Sequence, residues 1–345
     1  MKSWWDDGHG RAVRGSHRGA VAVARAVSVL AVDVGGTKLA VAVVDATGRV
    51  VRAARAPTPV GPRADAETLW EALDRLVSSL LTTAGSRGAV EGVGIGCGGP
   101  MTWPAGEVSP LNIPGWRGFP LRARFDERFP DVPVRLHNDA VCMAVGEHWR
   151  GAGRNRRDML GMVVSTGIGG GLVLDGRLVD GAAGNAGHIG HVVVAPDGPL
   201  CACGGHGCLE AVASAPNLVR WARENGWEGP DRPEPGGPTG RDLVEDARRG
   251  HPVALQALRR AGAAIGVGVA SAAHLLDLET VAVGGGLSQA GPLLFEPLEE
   301  SLRHYATLSF ARGVQVVPAA LGQDAGLVGA AALVLAGSAY WHGSD

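Results

Sequence analysis

The sequence predicts an α/β protein of two lobes with a cleft between them. Strand and helix patterns alternate along the 345 residues, a length that suits two lobes better than one small core. Each half opens with a strand that ends in a glycine-rich turn, VSVLAVDVGGTKLAVAVV in the first half and MLGMVVSTGIGGGLVL in the second. This repetition indicates two related lobes in which helices are layered on sheets.

The first half is predicted to begin with a valine-rich strand at 29–34 and two further strands, 39–45 and 49–54, around the turn DATGR. This hairpin differs from a dinucleotide-binding opening, in which the glycines lead into a helix. Apolar residues recur at helical spacing over 66–81, which predicts an amphipathic helix. The remaining predicted elements of this half are a strand at 90–97, a helix at 119–129 and a strand at 132–136.

The second half is predicted to alternate in the same way. Residues 159–165 and 169–174 are expected to pair as strands, followed by a tight hairpin turn at Asp175-Gly176. The Pro and Gly content of 228–240 indicates a loop. The predicted helices cover 140–150, 209–224, 241–249, 252–276, 293–306 and 324–335. The remaining predicted strands cover 280–283 and 314–318.

Composition and charge exclude several classes of protein. Hydrophobic residues are 46% and charged residues 19% of the chain, which is typical of a globular protein with a core. The net charge of −2, without a basic patch beyond the N-terminus, argues against a nucleic-acid partner. No apolar run is expected to approach the length of a membrane span. Residues 1–27 resemble a signal peptide only until Arg25 interrupts the apolar run, so we predict a disordered or misannotated extension on a cytoplasmic protein.

A cluster of His and Cys predicts a closed zinc site. His191 is followed by C-x-C-x₄-C in a glycine-rich, strand-poor segment, and four such ligands complete a tetrahedral structural site. Ordinary buried cysteines are the alternative, and a disulfide is not expected without secretory features. The four predicted ligands are His191, Cys201, Cys203 and Cys208.

Three glycine runs are candidate nucleotide-binding loops. Consecutive glycines let backbone N–H groups approach an anion, and two such loops in matching positions favour a nucleotide triphosphate. Asp33 could hold Mg²⁺ through water, and the third run offers backbone for an adenosine. The alternative for each run is an ordinary turn. The predicted ATP-binding residues are Asp33, Gly35, Gly36, Thr37, Lys38, Ser165, Thr166, Gly167, Gly169, Gly170, Gly284, Gly285 and Gly286.

Asp139 is the predicted catalytic residue. It follows a strand and starts a helix, so a capping role is the alternative. A carboxylate there could accept the proton of a sugar hydroxyl that attacks phosphorus, because phosphoryl transfer needs little more than a positioned base and charge neutralisation. Asn138 and Asn112 suit other sugar hydroxyls. Trp103 and Trp116, beside Asn112, could cover the sugar or pack a lobe surface.

Together these motifs resemble the ROK family of repressors and sugar kinases, including the bacterial N-acetylmannosamine kinases and glucokinases. The resemblance covers about 29–335 and rests on DVGGTK, the HND step, the second glycine loop, GHIGH followed by CACGGHGCLE, and DAGLVGAA. It implies an actin-like ATPase (ribonuclease H-like) fold and ATP-dependent phosphorylation of a hexose 6-hydroxyl. The implied small lobe is 28–137 plus 324–337, and the implied large lobe is 138–323 with a zinc loop at 191–208.

The resemblance also implies a complete site. The implied cofactors are ATP, Mg²⁺ and structural Zn²⁺, the partner is a small-molecule hexose, and a homodimer or homotetramer is expected. The catalytic base falls on Asp139. The implied sugar contacts are Gly99, Asn112, Asn138, Asp139, His188, His191 and Glu210.

His188 is a departure that affects the choice of sugar. Family glucokinases carry Glu at this position, and a carboxylate accepts from two hydroxyls, whereas neutral imidazole offers one donor and one acceptor. A donor suits the carbonyl of an acetamido group, and bacterial N-acetylmannosamine kinases carry a similar GHIGH. We therefore expect N-acetylmannosamine, with glucose as the alternative if His188 only packs beside the zinc loop.

Other functions remain as alternatives. A fructokinase stays within the enzyme class, and a sugar sensor without turnover would not need the intact Asp139. A ROK repressor needs a helix-turn-helix domain before the DVGGT strand. The 27 residues before Ser28 lack a second amphipathic helix, which disfavours the repressor.

Overall fold

The computed structural model describes residues 27–61, 64–83, 90–230 and 237–341. The predicted extension of residues 1–27 lies outside the described residues except for Val27, as does part of the predicted loop 228–240. The strands are β1 (Ser28–Val34), β2 (Lys38–Asp45), β3 (Val50–Pro57), β4 (Val93–Cys97), β5 (Met101–Thr102), β6 (Glu107–Val108), β7 (Val134–Asn138), β8 (Met159–Val164), β9 (Ile168–Leu174), β10 (Arg177–Leu178), β11 (Thr280–Gly284) and β12 (Gln315–Pro318).

The helices pack around these strands. They are α1 (Ala66–Thr83), α2 (Leu121–Arg128), α3 (Asp139–Arg150), α4 (Leu209–Ala213), α5 (Ala215–Glu224), α6 (Gly240–Arg248), α7 (Pro252–Leu276), α8 (Pro292–Tyr305), α9 (Ala325–Leu335) and α10 (Gly337–Tyr340). Most predicted elements are present with ends shifted by a few residues, because apolar periodicity marks the middle of an element better than its ends.

Two five-stranded mixed sheets confirm the predicted α/β architecture. The first has the order β3-β2-β1-β4-β7, and the second has the order β10-β9-β8-β11-β12. In each sheet an antiparallel hairpin, β1–β2 or β8–β9, lies beside parallel strands, β4 and β7 or β11 and β12. The two glycine-rich turns that the sequence singled out therefore occupy matching positions in the two sheets.

Helix α3 connects the two sheets. On one side, an added Cβ at Gly161 of β8 would lie 2.5 Å from Ala144 Cα of α3. On the other side, an added Cβ at Gly329 of α9 would lie 1.5 Å from Cys142 O of α3. Helix α9 in turn rests on the first sheet, since an added Cβ at Gly94 would lie 1.8 Å from Ala330 O. Small residues thus let α3 contact elements of both halves at backbone distance.

Three regions differ from the sequence-based prediction. The predicted helix 209–224 is divided into α4 and α5, because Ser214 between them has an extended ψ of 151°. An unbroken helix would press the Pro216 ring against the carbonyl of Val212. The prediction also missed the short hairpin β5–β6 within the proline-containing loop and the four-residue helix α10.

Helix α7 corrects the expectation that no apolar run approaches the length of a membrane span, although this concerns only its length and composition. Among the described residues, this 25-residue helix alone has the length and composition of a membrane span, and 56% of its most apolar window is buried inside the protein. An added Cβ at Gly262 or Gly266 would lie 2.5 Å from a backbone oxygen of α8. Such close packing is what a core helix of a globular protein also shows.

Candidate active site

The predicted base lies at the junction of β7 and α3. Asn138 ends β7 and caps α3, because its Oδ1 accepts a hydrogen bond from Ala140 N at 3.0 Å. Asp139 is the first residue of α3, and its Oδ1 also lies 2.8 Å from Ala140 N. The cap is therefore supplied by Asn138, which leaves the second carboxylate oxygen of Asp139 available to a substrate.

Asp33 and Asp139 share one electrostatic environment. Desolvation raises the pKa of the Asp139 carboxyl, while the Ala140 N–H and, in its protonated form, His188 act in the opposite direction. Desolvation and then the negative charge of Asp139 raise the pKa of the Asp33 carboxyl to about 7. A carboxylate whose pKa is raised toward neutrality is a stronger base than an ordinary one, and it accepts a proton more readily near neutral pH.

Four of the predicted sugar contacts lie together beside this pair. An added Cβ at Gly99 would lie 3.1 Å from Asn138 Nδ2 and 3.5 Å from His188 Nε2. An added Cβ at Gly36 would lie 2.7 Å from Asn112 Nδ2. Gly36, predicted to bind ATP, therefore packs against a predicted sugar contact, and the first glycine turn borders the sugar side of the site.

The orientation of His188 does not fit the expectation that neutral His188 donates a hydrogen bond to the sugar. Its Nδ1 lies 3.0 Å from the carbonyl oxygen of Asn185, so Nδ1 carries the proton that this bond needs. In the neutral ring, Nε2, which faces Gly99, is then an acceptor. A donor toward the sugar would require the imidazolium form.

Some residues of the two glycine runs in the second half line a cleft, and others lie behind its wall. A cleft of about 820 Å³ lies between the second sheet and α6. Its lining includes the predicted ATP-binding residues Ser165, Thr166, Gly284, Gly285 and Gly286. The cleft lining does not include the first loop, from Asp33 to Lys38, or Gly167, Gly169 and Gly170.

Gly285 shows why glycine is needed at this cleft. Its φ is +92°, a conformation that other residues rarely adopt, and an added Cβ would lie 2.4 Å from Val164 O. Gly286 lies next to Ser165, since an added Cβ there would be 3.5 Å from Ser165 Oγ. The second and third glycine runs therefore meet along one wall of the cleft.

Glu210 supports the second glycine loop. Its Oε2 accepts a hydrogen bond from Ile168 N at 2.8 Å, and an added Cβ at Gly167 would lie 2.8 Å from the same oxygen. Gly169 packs on Ala140 of α3. One carboxylate oxygen of the predicted sugar contact Glu210 is thus engaged by the protein backbone.

His191 and the three cysteines have the donor set of a zinc site. Their ligand atoms all lie within 4.8 Å of one another. Cys201 Sγ is 3.8 Å from His191 Nδ1, and Cys203 Sγ is 3.7 Å from Cys208 Sγ. A tetrahedral zinc ion with Zn–S bonds of about 2.3 Å separates its ligand atoms by roughly 3.8 Å. The four side chains therefore fit a zinc ion, and all five cysteines are free of disulfides.

The structure also places residues that the sequence analysis missed or assigned differently. Gly326, at the start of α9, borders the Asp33 carboxylate, and an added Cβ there would lie 3.1 Å from Asp33 Oδ2. Arg55 forms an ion pair with Asp324 at 2.6 Å, and its charge lowers the pKa of Asp33. Only the sequence DAGLVGAA pointed to this region. Trp116 does not cover the sugar, since it is buried and stacks on Phe119 at 4.5 Å.

Comparison with known proteins gives one consistent family. Residues 29–336 match the ROK family. The chain is 35% identical to a glucokinase of Streptomyces coelicolor, covering 88% of this chain and 96% of that protein. It is also 35% identical to an N-acetylmannosamine kinase of Citrobacter koseri, covering 89% of this chain and 98% of that protein.

Solved structures agree with these relatives. A ROK family glucokinase from Streptomyces griseus, in complex with glucose and AMPPNP, superposes with a TM-score of 0.76. It is 36% identical, and the match covers 89% of this chain and 98% of that chain. The predicted family and the predicted actin-like ATPase fold are both confirmed. The chain belongs to the ROK family.

Proposed function

We propose that this protein transfers the γ-phosphoryl group of ATP to the 6-hydroxyl of a hexose. The observation that carries the proposal is Asp139, a carboxylate with a raised pKa that lies beside Asn138, His188 and Asp33. The kinase relatives at about 35% identity support the same reaction. As predicted from the sequence, the enzyme works in the cytoplasm as a homodimer or homotetramer.

The reaction needs one proton transfer and one exchange of bonds at phosphorus. Asp139 accepts the proton of the 6-hydroxyl as that oxygen bonds to the γ-phosphorus, and the bond to the β–γ bridging oxygen breaks to release ADP. Ser165 and Thr166 donate to the phosphates, and Gly284–Gly286 receive the adenosine. Asp33 is the residue that would hold Mg²⁺, and the bound ion would supply charge neutralisation at the phosphates.

The lobes and the zinc ion complete the proposal. The smaller lobe consists of 28–137 and 324–337, the larger of 138–323, and both close over the sugar. A zinc ion on His191, Cys201, Cys203 and Cys208 fixes the loop 191–208 between two proposed sugar contacts, His188 and Glu210. The fit of the four ligand atoms to a tetrahedral site supports this role.

We propose N-acetylmannosamine as the preferred sugar. Relatives at 35% identity carry both kinase names, so the support comes from His188. Neutral His188 presents Nε2 as an acceptor, which matches the amide N–H of an acetamido group. A glucokinase-type carboxylate instead accepts from two hydroxyls. Glucose is the second candidate because one hydroxyl could also donate to Nε2.

A coupled ADP-release screen tests the reaction. The sugars are glucose, mannose, fructose and the N-acetylhexosamines, and Asp139→Asn should lower kcat by roughly 10²- to 10⁴-fold. Asp45→Asn, at a half-buried carboxylate that ends β2, is the matched control and should retain full turnover. Wild-type turnover in Asp139→Asn would exclude Asp139 as the base.

A residue exchange tests the choice of sugar. His188→Glu should shift kcat/KM from N-acetylmannosamine toward glucose by roughly 10-fold or more, since specificity changes of this size follow from unpaired polar groups. An unchanged ratio of the two kcat/KM values would show that His188 does not determine the choice of sugar.

A further inference from the structure

The loop 179–188, which joins β10 to the short turn at Ile189–His191, contacts the first half of the chain at several points. It ends at His188, the proposed specificity residue. We propose that His137 and Asp180 form a positioning pair that holds both this loop and the Asn138–Asp139 step in their working geometry. This inference rests on the function proposed above, since it assigns these two residues a role in placing the base and the sugar.

His137 is held in one tautomer. Its side chain is fully buried, and its Nδ1 lies 2.8 Å from Asn138 N, which can only donate. Nδ1 is therefore the acceptor, and Nε2 carries the proton that it donates to Asp180 Oδ1 at 2.9 Å. The ring thus links the peptide between His137 and Asn138 directly to the loop.

The Asp180 carboxylate accepts hydrogen bonds from two separate parts of the chain. Besides His137 of β7, Trp341 donates from Nε1 to Asp180 Oδ2 at 3.0 Å. Trp341 follows α10, and its ring lies 5.8 Å from the Arg135 guanidinium of β7. The carboxylate therefore joins the edge of the first sheet, the loop and the segment after α10.

Two further contacts make the loop a rigid extension of this pair. Asn185 exchanges two hydrogen bonds with the Met101 backbone, from Nδ2 to O at 3.1 Å and from N to Oδ1 at 3.3 Å. Gly184 packs on Trp103, whose ring lies 5.5 Å from that of His137. A shift of Asp180 would pass through these contacts to His188, which faces Gly99.

The sequence position of these residues also fits positioning better than direct chemistry. Both ring nitrogens of His137 are engaged, by Asp180 and by the backbone N–H of Asn138, while the next two residues supply the helix cap and the proposed base. Displacement of a catalytic group by about 1 Å can cost on the order of 100-fold in rate. The pair therefore acts through Asn138 and Asp139.

The test separates positioning from simple stability. His137→Phe keeps a ring of similar size but removes both hydrogen bonds, and Asp180→Ala removes the acceptor. Each should lower kcat by at least about 10-fold and leave the KM for ATP unchanged, because the pair does not line the nucleotide cleft. The double variant should be no worse than either single variant, as expected for residues that act as one unit.

Two matched variants serve as controls. Asp180→Asn keeps an oxygen that can accept from His137 and Trp341, so most of kcat should return. Tyr340→Phe removes the hydrogen bond between Tyr340 OH and His148 Nδ1 in the adjoining segment, and it should lower Tm without lowering kcat. Unchanged kcat in His137→Phe and Asp180→Ala would overturn the proposal. So would a loss of kcat in Tyr340→Phe as large as the loss in those two variants, because it would show that destabilising this segment is enough to lower kcat.

Amide hydrogen exchange gives a readout that does not need turnover. Peptides covering 179–188 and 138–141 should exchange faster in Trp341→Phe, a mild variant that removes one donor to Asp180, than in the wild type. Unchanged exchange rates in both peptides would overturn the proposed role of the pair. If the wild type phosphorylated no sugar, the proposed function would fall, and the exchange result would still decide whether the pair fixes the loop.

Discussion

Replacing Asp33 with Asn should stabilise the protein above neutral pH. The pKa of Asp33 is raised from 3.8 to about 7, first by burial and then by Asp139. Between these values the unfolded chain binds fewer protons than the folded protein, so the free energy of unfolding falls as pH rises. This interval corresponds to about 4 kcal/mol at 1.36 kcal/mol per pKa unit. Because Asp33 is half-buried, solvent screens its charge in part, and the expected gain in the free energy of unfolding at about pH 8 is roughly 2–4 kcal/mol.

Urea unfolding of the wild type and Asp33→Asn, without added nucleotide, measures this effect. The variant should be nearly as stable as the wild type at about pH 4 and clearly more stable at about pH 8. Asp45→Asn is the control with the opposite sign, because hydrogen bonds from Thr47 lower the pKa of Asp45. Its deficit should be present at about pH 8 and shrink as the pH falls. Stability curves for the wild type and Asp33→Asn that stay parallel across this range would refute the reasoning.

Three further predictions concern the supports of the site. Gly285→Ala should raise the KM for ATP and cost about 1–3 kcal/mol of stability, because its φ of +92° and the nearby Val164 O leave no room for a Cβ. Nucleotide titration and urea unfolding measure both. Glu147→Gln should cost about 1–3 kcal/mol in the same unfolding assay, since this fully buried carboxylate accepts backbone N–H groups of 320–321 beside the proposed nucleotide cleft. Cys208→Ser should lose the bound zinc in native mass spectrometry and lower Tm, and an unchanged metal content would exclude the proposed ligand set.

Local patterns predicted much of the fold because its elements have strong sequence signals. The valine-rich strands on both sides of Gly35-Gly36 and the strand that ends at Asn138 are examples. The helix from Leu209 was predicted too long, because Pro216 is compatible with a helix start as well as a helix end. Apolar spacing cannot distinguish these two cases.

The site was harder to predict because its contacts join distant parts of the chain. Asp33 and Asp139 were each identified from a local motif, but their mutual effect on pKa depends on the fold. His137 and Asp180 are 43 positions apart, and neither belongs to a pattern that signals its partner. The hydrogen bond from Nδ1 of His188 to Asn185 likewise fixes which ring nitrogen faces the site, a choice that residue identity alone leaves open.

The backbone contacts of α3 have a consequence for interpreting mutational scans. Gly161 and Gly329 are placed so close to this helix that even alanine would collide with its backbone or its Ala144 side chain. Such positions should tolerate no substitution, although neither is among the proposed ligand-binding residues. A deep mutational scan scored by growth would therefore report a band of inactive variants in β8 and α9, where they face α3, and this band would resemble an active-site signature. Soluble expression levels, measured in parallel, would separate that band from true losses of chemistry.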